Sequence, residues 1–121
     1  MTTTIKIEKS VYDRKEASDG KRILVMRFWP RGIPKDTVDL WMKELGTGKD
    51  LIKKWKAGKI SWDDFSAEYI GGLKSKEHLL KDLARQAKEG VITLLCGCKD
   101  MNHCHRYLLK NTITEYFPRI R

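Results

Sequence analysis

Val91-Ile92-Thr93-Leu94-Leu95-Cys96 is the stretch on which the fold turns. A strand with one wet face alternates apolar and polar side chains, and this run does not. A short, nearly continuous apolar run is what a strand buried on both faces requires, and such strands belong to parallel sheets covered on each side. Arg22-Ile23-Leu24-Val25-Met26-Arg27-Phe28-Trp29 is a second run of that kind, stopped by Pro30 and followed by the tight loop Arg31-Gly32-Ile33-Pro34. Thr4-Ile5-Lys6-Ile7-Glu8 alternates and reads as a third, short strand. Asp13 to Gly20 is polar, with Asp19-Gly20 as a turn signal.

Between the two buried runs the period is helical. Val38, Trp41, Met42 and Leu45 fall at i, i+3, i+4 and i+7, which predicts a helix from Asp36 with Gly46 as its stop. Leu51, Ile52 and Trp55 predict a second, ending near Gly58. Ser61, with Asp64 three residues on, has the form of a helix cap and leads a stripe of Trp62, Phe65 and Tyr69. Ser75 is the expected cap of a fourth helix, whose apolar face is Leu79, Leu80, Leu83, Ala84 and Ala87 and whose end is Gly90. The last helix carries Leu108, Leu109, Thr112, Ile113, Tyr116 and Phe117 on one side and stops at Pro118.

Strands separated by helices give a parallel sheet with helical crossovers. The expectation is one α/β domain over residues 1–121, with a small, mostly parallel sheet of about three strands flanked by about five helices. Ligands of such sheets bind beyond the carboxyl ends of the strands. Arg27, Trp29 and Arg31 follow one strand and Cys96 to Arg106 another, so parallel strands would bring both groups to one edge.

Composition narrows the class. With 40% apolar and 34% charged residues the chain is neither a membrane protein nor a disordered one. No apolar run approaches the roughly 20 residues of a membrane span, and Met1 to Lys9 lacks the apolar core of an export signal. The three cysteines, Cys96, Cys98 and Cys104, are too few and too crowded for a disulfide framework and suit a reducing compartment. A cytoplasmic location is expected. The formal charge of +9 favours anionic partners, but its lysines are spread along the chain rather than gathered in a tail. Nothing in the chain fixes an oligomeric state.

Cys96-Gly97-Cys98-Lys99-Asp100-Met101-Asn102-His103-Cys104-His105-Arg106 is the segment richest in chemistry. It joins a strand to a helix, where unpaired N–H groups and the positive end of the dipole favour anions and lower a thiol pKa. Cys104 and His105 are the candidate nucleophile and proton carrier. Arg27, Arg31 and Arg106 are the candidate anion-binding groups, with Trp29 and Cys98 in the pocket. Asp13, Asp36 and Asp39 are the candidate counter-ions of the strand-end arginines. A helical wheel turns His105 toward the sheet, so it is read either as a core imidazole bonded to a carbonyl or as a catalytic base. Cys96 ends a buried strand and is read as a small packing residue. Structural zinc prefers two separate Cys-x₂₋₄-Cys knuckles, which this compact cluster does not match, so no metal and no cofactor are expected.

The run from Arg22 to Gly32, then Trp41-Met42-Lys43-Glu44-Leu45, Trp55, Trp62-x-x-Phe65-x-x-x-Tyr69, the Val91 to Cys96 strand and Cys104-His105-Arg106 together resemble the family called domain of unknown function 488. The likeness extends from about Val11 to Tyr116, and the Trp-Pro-Arg-Gly segment is its most specific part. The resemblance implies a single α/β domain in a bacterial or archaeal cytoplasmic protein and implies no particular reaction. Members ending in Cys-His-Arg commonly carry Cys-x-Glu after the strand. Here that position is Cys98, so no acid or base carries over to it.

Three functions compete. The first is an enzyme, or an enzyme-like pocket, for a phosphate-bearing small molecule or nucleotide, worked by Cys104 and His105. The second is a non-catalytic module for nucleic acid, resting on charge alone. The third is a thiol or metal sensor using Cys98, His103 and Cys104. No membrane partner is implied by any of them.

Overall fold

The computed structural model describes residues 4–7, 9–97 and 104–116. Four strands, β1 (Thr4–Lys6), β2 (Lys21–Leu24), β3 (Leu40–Trp41) and β4 (Val91–Leu95), form one sheet in the order β1-β4-β2-β3. Every pairing is parallel. Ile5 lies beside Ile92, Ile23 beside Leu94 and Leu24 beside Leu95, while Ile23 also lies beside Leu40. Four α-helices accompany them: α1 (Lys49–Lys56), α2 (Trp62–Leu73), α3 (Glu77–Glu89) and α4 (His105–Thr114). The architecture is mixed α/β around a parallel sheet, as the sequence pattern requires.

The two faces of the sheet are covered differently. Ile5, Ile23, Ile92 and Leu94 point to the helical side, where Phe65, Tyr69 and Leu73 of α2, Leu80, Leu83 and Ala87 of α3, and Leu109 and Ile113 of α4 close the main core. Leu24 and Leu95 point the other way and are covered by loop residues Val11, Met26, Trp29, Ile33 and Val38. The alternation of a strand thus sends successive residues into two separate cores.

One segment accounts for both departures in element count. The Asp36–Leu45 segment is not a helix. It runs as a 3₁₀ turn (Lys35–Thr37), the two-residue strand β3 and a second 3₁₀ turn (Lys43–Leu45). Its apolar residues serve opposite faces: Val38 packs in the loop-side core, Met42 and Leu45 in the helical one. Pairing with β2 decides its conformation, since Asp39 N–H donates to Arg22 O and Met42 N–H to Leu24 O. The cap residues divide as well. Ser61 Oγ accepts the Asp64 N–H at 3.0 Å and starts α2 as expected, whereas Ser75 Oγ donates to Gly72 O and α3 begins behind Lys76 with no side-chain cap. Phe117 and Pro118 lie outside the described residues.

Beneath the loops lies a buried ion network. Arg22 leaves β2 on that face and donates through Nη1 to the Asp19 carboxylate and through Nε to Thr37 O at 2.8 Å. Lys9 Nζ donates to both Asp19 oxygens, at 3.0 and 2.9 Å, and the Thr93 hydroxyl donates to Asp19 O at 2.6 Å. Burial works against the Asp19 charge, but hydrogen bonds from Lys9, the Glu16 N–H and Arg22 outweigh it and hold the carboxyl at about 2, below its ordinary 3.8. Gly20 closes the turn at φ +62°, and a Cβ there would sit 2.2 Å from Val91 O. Only glycine fits.

Candidate functional site

Because the strands are parallel, β2 and β4 end at the same edge, where Val25 and Cys96 stand side by side with the start of α4. Val25 N–H donates to Leu95 O at 3.0 Å and keeps the two chains in register just past the strands. Cys104 is the N-cap of α4, in extended conformation, so His105 and Arg106 are the first two helical residues. A cap residue turns its side chain back over the helix start, and this places its sulfur beside those of its neighbours.

The His105 ring fixes the chemistry. Its Nε2 lies 2.6 Å from Val25 O. A carbonyl oxygen only accepts, so Nε2 carries the hydrogen and Nδ1 of the neutral ring is left with its lone pair. Nδ1 lies 4.0 Å from Cys96 Sγ and 4.0 Å from Cys104 Sγ. All three residues are buried, Cys104 to 1% exposure. The core-imidazole reading of His105 therefore describes one nitrogen, and the other faces two sulfurs.

Arg106 is completely buried and turned inward. Its Nε donates to Cys104 Sγ at 3.2 Å and its Nη1 to Lys9 O. A guanidinium against a sulfur at a helix N-terminus favours the thiolate. Tyr69 closes the site from α2: its ring meets the imidazole edge-on at 5.5 Å and its hydroxyl donates to Leu45 O at 2.6 Å. Burial, then the nearness of Cys104 and Cys96, drives the Tyr69 pKa far above its ordinary value. It is a neutral hydrogen-bond donor and not a proton carrier.

The other sequence-predicted residues are arranged less tightly. Trp29 Nε1 donates to Ile33 O at 2.9 Å and its ring packs edge-on against Trp41 at 5.4 Å, so the indole is fixed within its own loop. Arg27 Nη2 lies 3.5 Å from Gly46 O, and its Nε is buried without a hydrogen-bond partner. Lys76 stands close by: burial, then the Arg27 charge, lowers its pKa against the opposing pull of Glu44. Arg31 is exposed. Asp13, Asp36 and Asp39 form no ion pair with Arg27 or Arg31 among the described residues; Asp13 accepts the Ser10 N–H and Asp39 the Arg22 N–H instead. Cys98 and His103 lie outside the described residues. A cleft of about 410 Å³ between Val11 and Tyr12 on one side and Ile33, Pro34 and Thr37 on the other is lined by the expected counter-ions Asp13 and Asp36 but by none of the predicted catalytic, anion-binding or pocket residues.

Sequence reasoning missed two participants. Tyr69 looked like one more apolar position of α2. Cys96 looked like packing, although a histidine turned toward the sheet one element away was the signal that its sulfur had a polar neighbour.

The geometry can now be set beside known proteins. A family model described as the active DUF488-N3 subclade matches residues 5–117. The chain belongs to the DUF488 family. Within reach of it, the chain is similar to the uncharacterized protein YeaO of Escherichia coli (strain K12), 39% identical over 103 residues that cover 84% of this chain and 90% of YeaO. It is also similar to the uncharacterized protein Rv3073c of Mycobacterium tuberculosis (strain ATCC 25618 / H37Rv), 29% identical over 101 residues, or 82% and 85% of the two chains. No solved structure matches. No helix among the described residues is long and apolar enough to cross a membrane.

Proposed function

We propose that this DUF488 member is a thiol-dependent enzyme acting on an anionic, phosphate-bearing small molecule such as a nucleotide, with Cys104 as nucleophile. One observation carries the reading: the Arg106 Nε–H donates to Cys104 Sγ at 3.2 Å, at the first turn of α4 and at the carboxyl edge of a parallel sheet. A thiolate held by a charged donor at a helix start is the activated form of a cysteine nucleophile.

His105 serves as proton carrier. Its lone pair on Nδ1 takes the Cys104 proton, the sulfur bonds to the substrate's electrophilic centre, and the leaving group departs with the bonding pair and receives that proton from His105. Arg106 is the group that holds the thiolate. Arg27, whose buried Nε is unpartnered, and the exposed Arg31 supply the charge for the substrate's anion, beside Trp29. The family model's own description of its subclade as active agrees with a working site. The protein is read as cytoplasmic, where a thiol stays reduced.

Alkylation tests this directly. The chelator-treated chain is exposed to iodoacetamide at one fixed neutral pH, and each cysteine is followed by mass spectrometry with and without phosphate or nucleotides. Cys104 is expected to react faster than Cys96 and to be protected by a nucleotide. A Cys104 that stays inert, or reacts at the same rate whatever anion is added, removes the nucleophile and its pocket together.

A further inference from the structure

We propose that Cys96 Sγ, Cys104 Sγ and His105 Nδ1 form a three-donor site for a zinc ion at the carboxyl edge of the sheet. The three atoms lie within 4.8 Å of one another, and the nitrogen is 4.0 Å from each sulfur. A tetrahedral zinc with bonds of about 2.3 Å to sulfur and about 2.0 Å to nitrogen holds such donors roughly 3.5–3.8 Å apart. The nitrogen–sulfur distances are thus open by about half an ångström and the sulfur–sulfur distance by up to about one, so the donors draw together when the ion binds.

Two hydrogen bonds prepare the donors. A ligating histidine keeps its tautomer and orientation by donating its other N–H to a carbonyl, as His105 Nε2 does to Val25 O at 2.6 Å. A ligating thiolate is stabilised by N–H donors, as Cys104 Sγ is by Arg106 Nε. The donor set selects the ion. Two sulfurs and an imidazole suit zinc and softer ions, and no carboxylate belongs to the cluster among the described residues, which disfavours calcium and magnesium. Two thiolates and a neutral imidazole balance a 2+ charge, and three protein donors leave a fourth position for water or another ligand.

The fold makes the site from one strand–helix connection: Cys96 follows β4 directly, Cys104 is the N-cap of α4 and His105 opens it. The site stands on this geometry and needs no nucleophile. Where both hold, zinc occupies the sulfur of Cys104, and metal binding becomes the off state of the enzyme.

Cobalt(II) gives the readout. The full chain, reduced and stripped with chelator, is titrated with Co²⁺ and then with Zn²⁺. One Co²⁺ per chain is expected, with sulfur-to-cobalt absorption in the near ultraviolet and tetrahedral bands in the visible, all lost on adding Zn²⁺. Cys96→Ala removes a ligand and should weaken binding by more than the roughly hundredfold that losing an outer hydrogen-bond partner costs. X-ray absorption of the wild-type zinc form should count at least two sulfurs, a result independent of how any variant folds. A wild-type chain that takes up no Co²⁺, a zinc shell with fewer than two sulfurs, or a folded Cys96→Ala chain that binds as before overturns the site. An inert Cys104 alongside intact Co²⁺ binding would remove the enzyme reading and leave the metal site standing.

Discussion

The loop side of the sheet and its carboxyl edge each bury an arginine, and they use it in opposite ways. On the loop side, Arg22 meets the Asp19 carboxylate, which also holds Lys9, and charge is cancelled by charge. At the carboxyl edge, Arg106 meets the Cys104 sulfur and the Lys9 carbonyl. A buried ion pair of this kind is a structural device, even with Arg22 Nη2 left without a hydrogen-bond partner among the described residues. A buried cation placed on a group that becomes negative only by losing a proton is a device for changing that group's state. The difference marks Asp19 and Arg22 as parts of the fold and is in keeping with the role proposed for Arg106.

Breaking the loop-side network should have the largest effect on stability. Asp19→Asn keeps the shape and removes the charge, which leaves Arg22 buried against a neutral amide and Lys9 without its main partner. The expected loss is about 3 kcal/mol in denaturant unfolding. Cys104 alkylation in the folded fraction should be unchanged. A loss well under 1 kcal/mol would show that the two regions do not differ in this way.

Acid sharpens the same contrast. The folded-state pKa of Asp19 is depressed, from 3.8 to about 2. Its contribution is therefore fully present above pH 3.8 and is lost as the pH falls toward 2, where the unfolded chain has already taken up a proton. The stability gap between wild type and Asp19→Asn should be constant from neutral pH down to about 4 and shrink below it. A gap that stays constant down to pH 2 would mean that Asp19 gains nothing from its partners.

The parts of this fold legible in the sequence are those whose burial is decided locally. β2 and β4 declare themselves because both faces are covered, and α2 because Ser61 caps it and its stripe repeats at the helical period. β3 was not legible. Two residues long, it exists through its pairing with β2, and the helical spacing is a coincidence: Val38 serves the loop-side core, Met42 and Leu45 the helical one, and Trp41 is exposed. The site divides along the same line. Cys104, His105 and Arg106 stood out because a strand run precedes them and a helix stripe follows. The inward turn of Arg106 and the second role of Cys96 depend on where side chains meet across elements, which spacing does not encode.

Tyr69 offers the smallest and most discriminating test. It touches both the imidazole and the core, and its hydroxyl donates to Leu45 O rather than to either sulfur. Tyr69→Phe keeps the ring against His105 and deletes one buried hydrogen bond, for an expected loss of about 1 kcal/mol in thermal or denaturant unfolding. Alkylation of Cys104 and binding of Co²⁺ should then match wild type, because the phenol stays protonated and takes no part in proton transfer. If either fell with stability only slightly changed, Tyr69 would belong to the chemistry. The line between structural and reactive groups at this edge would then have to be drawn one residue further into α2.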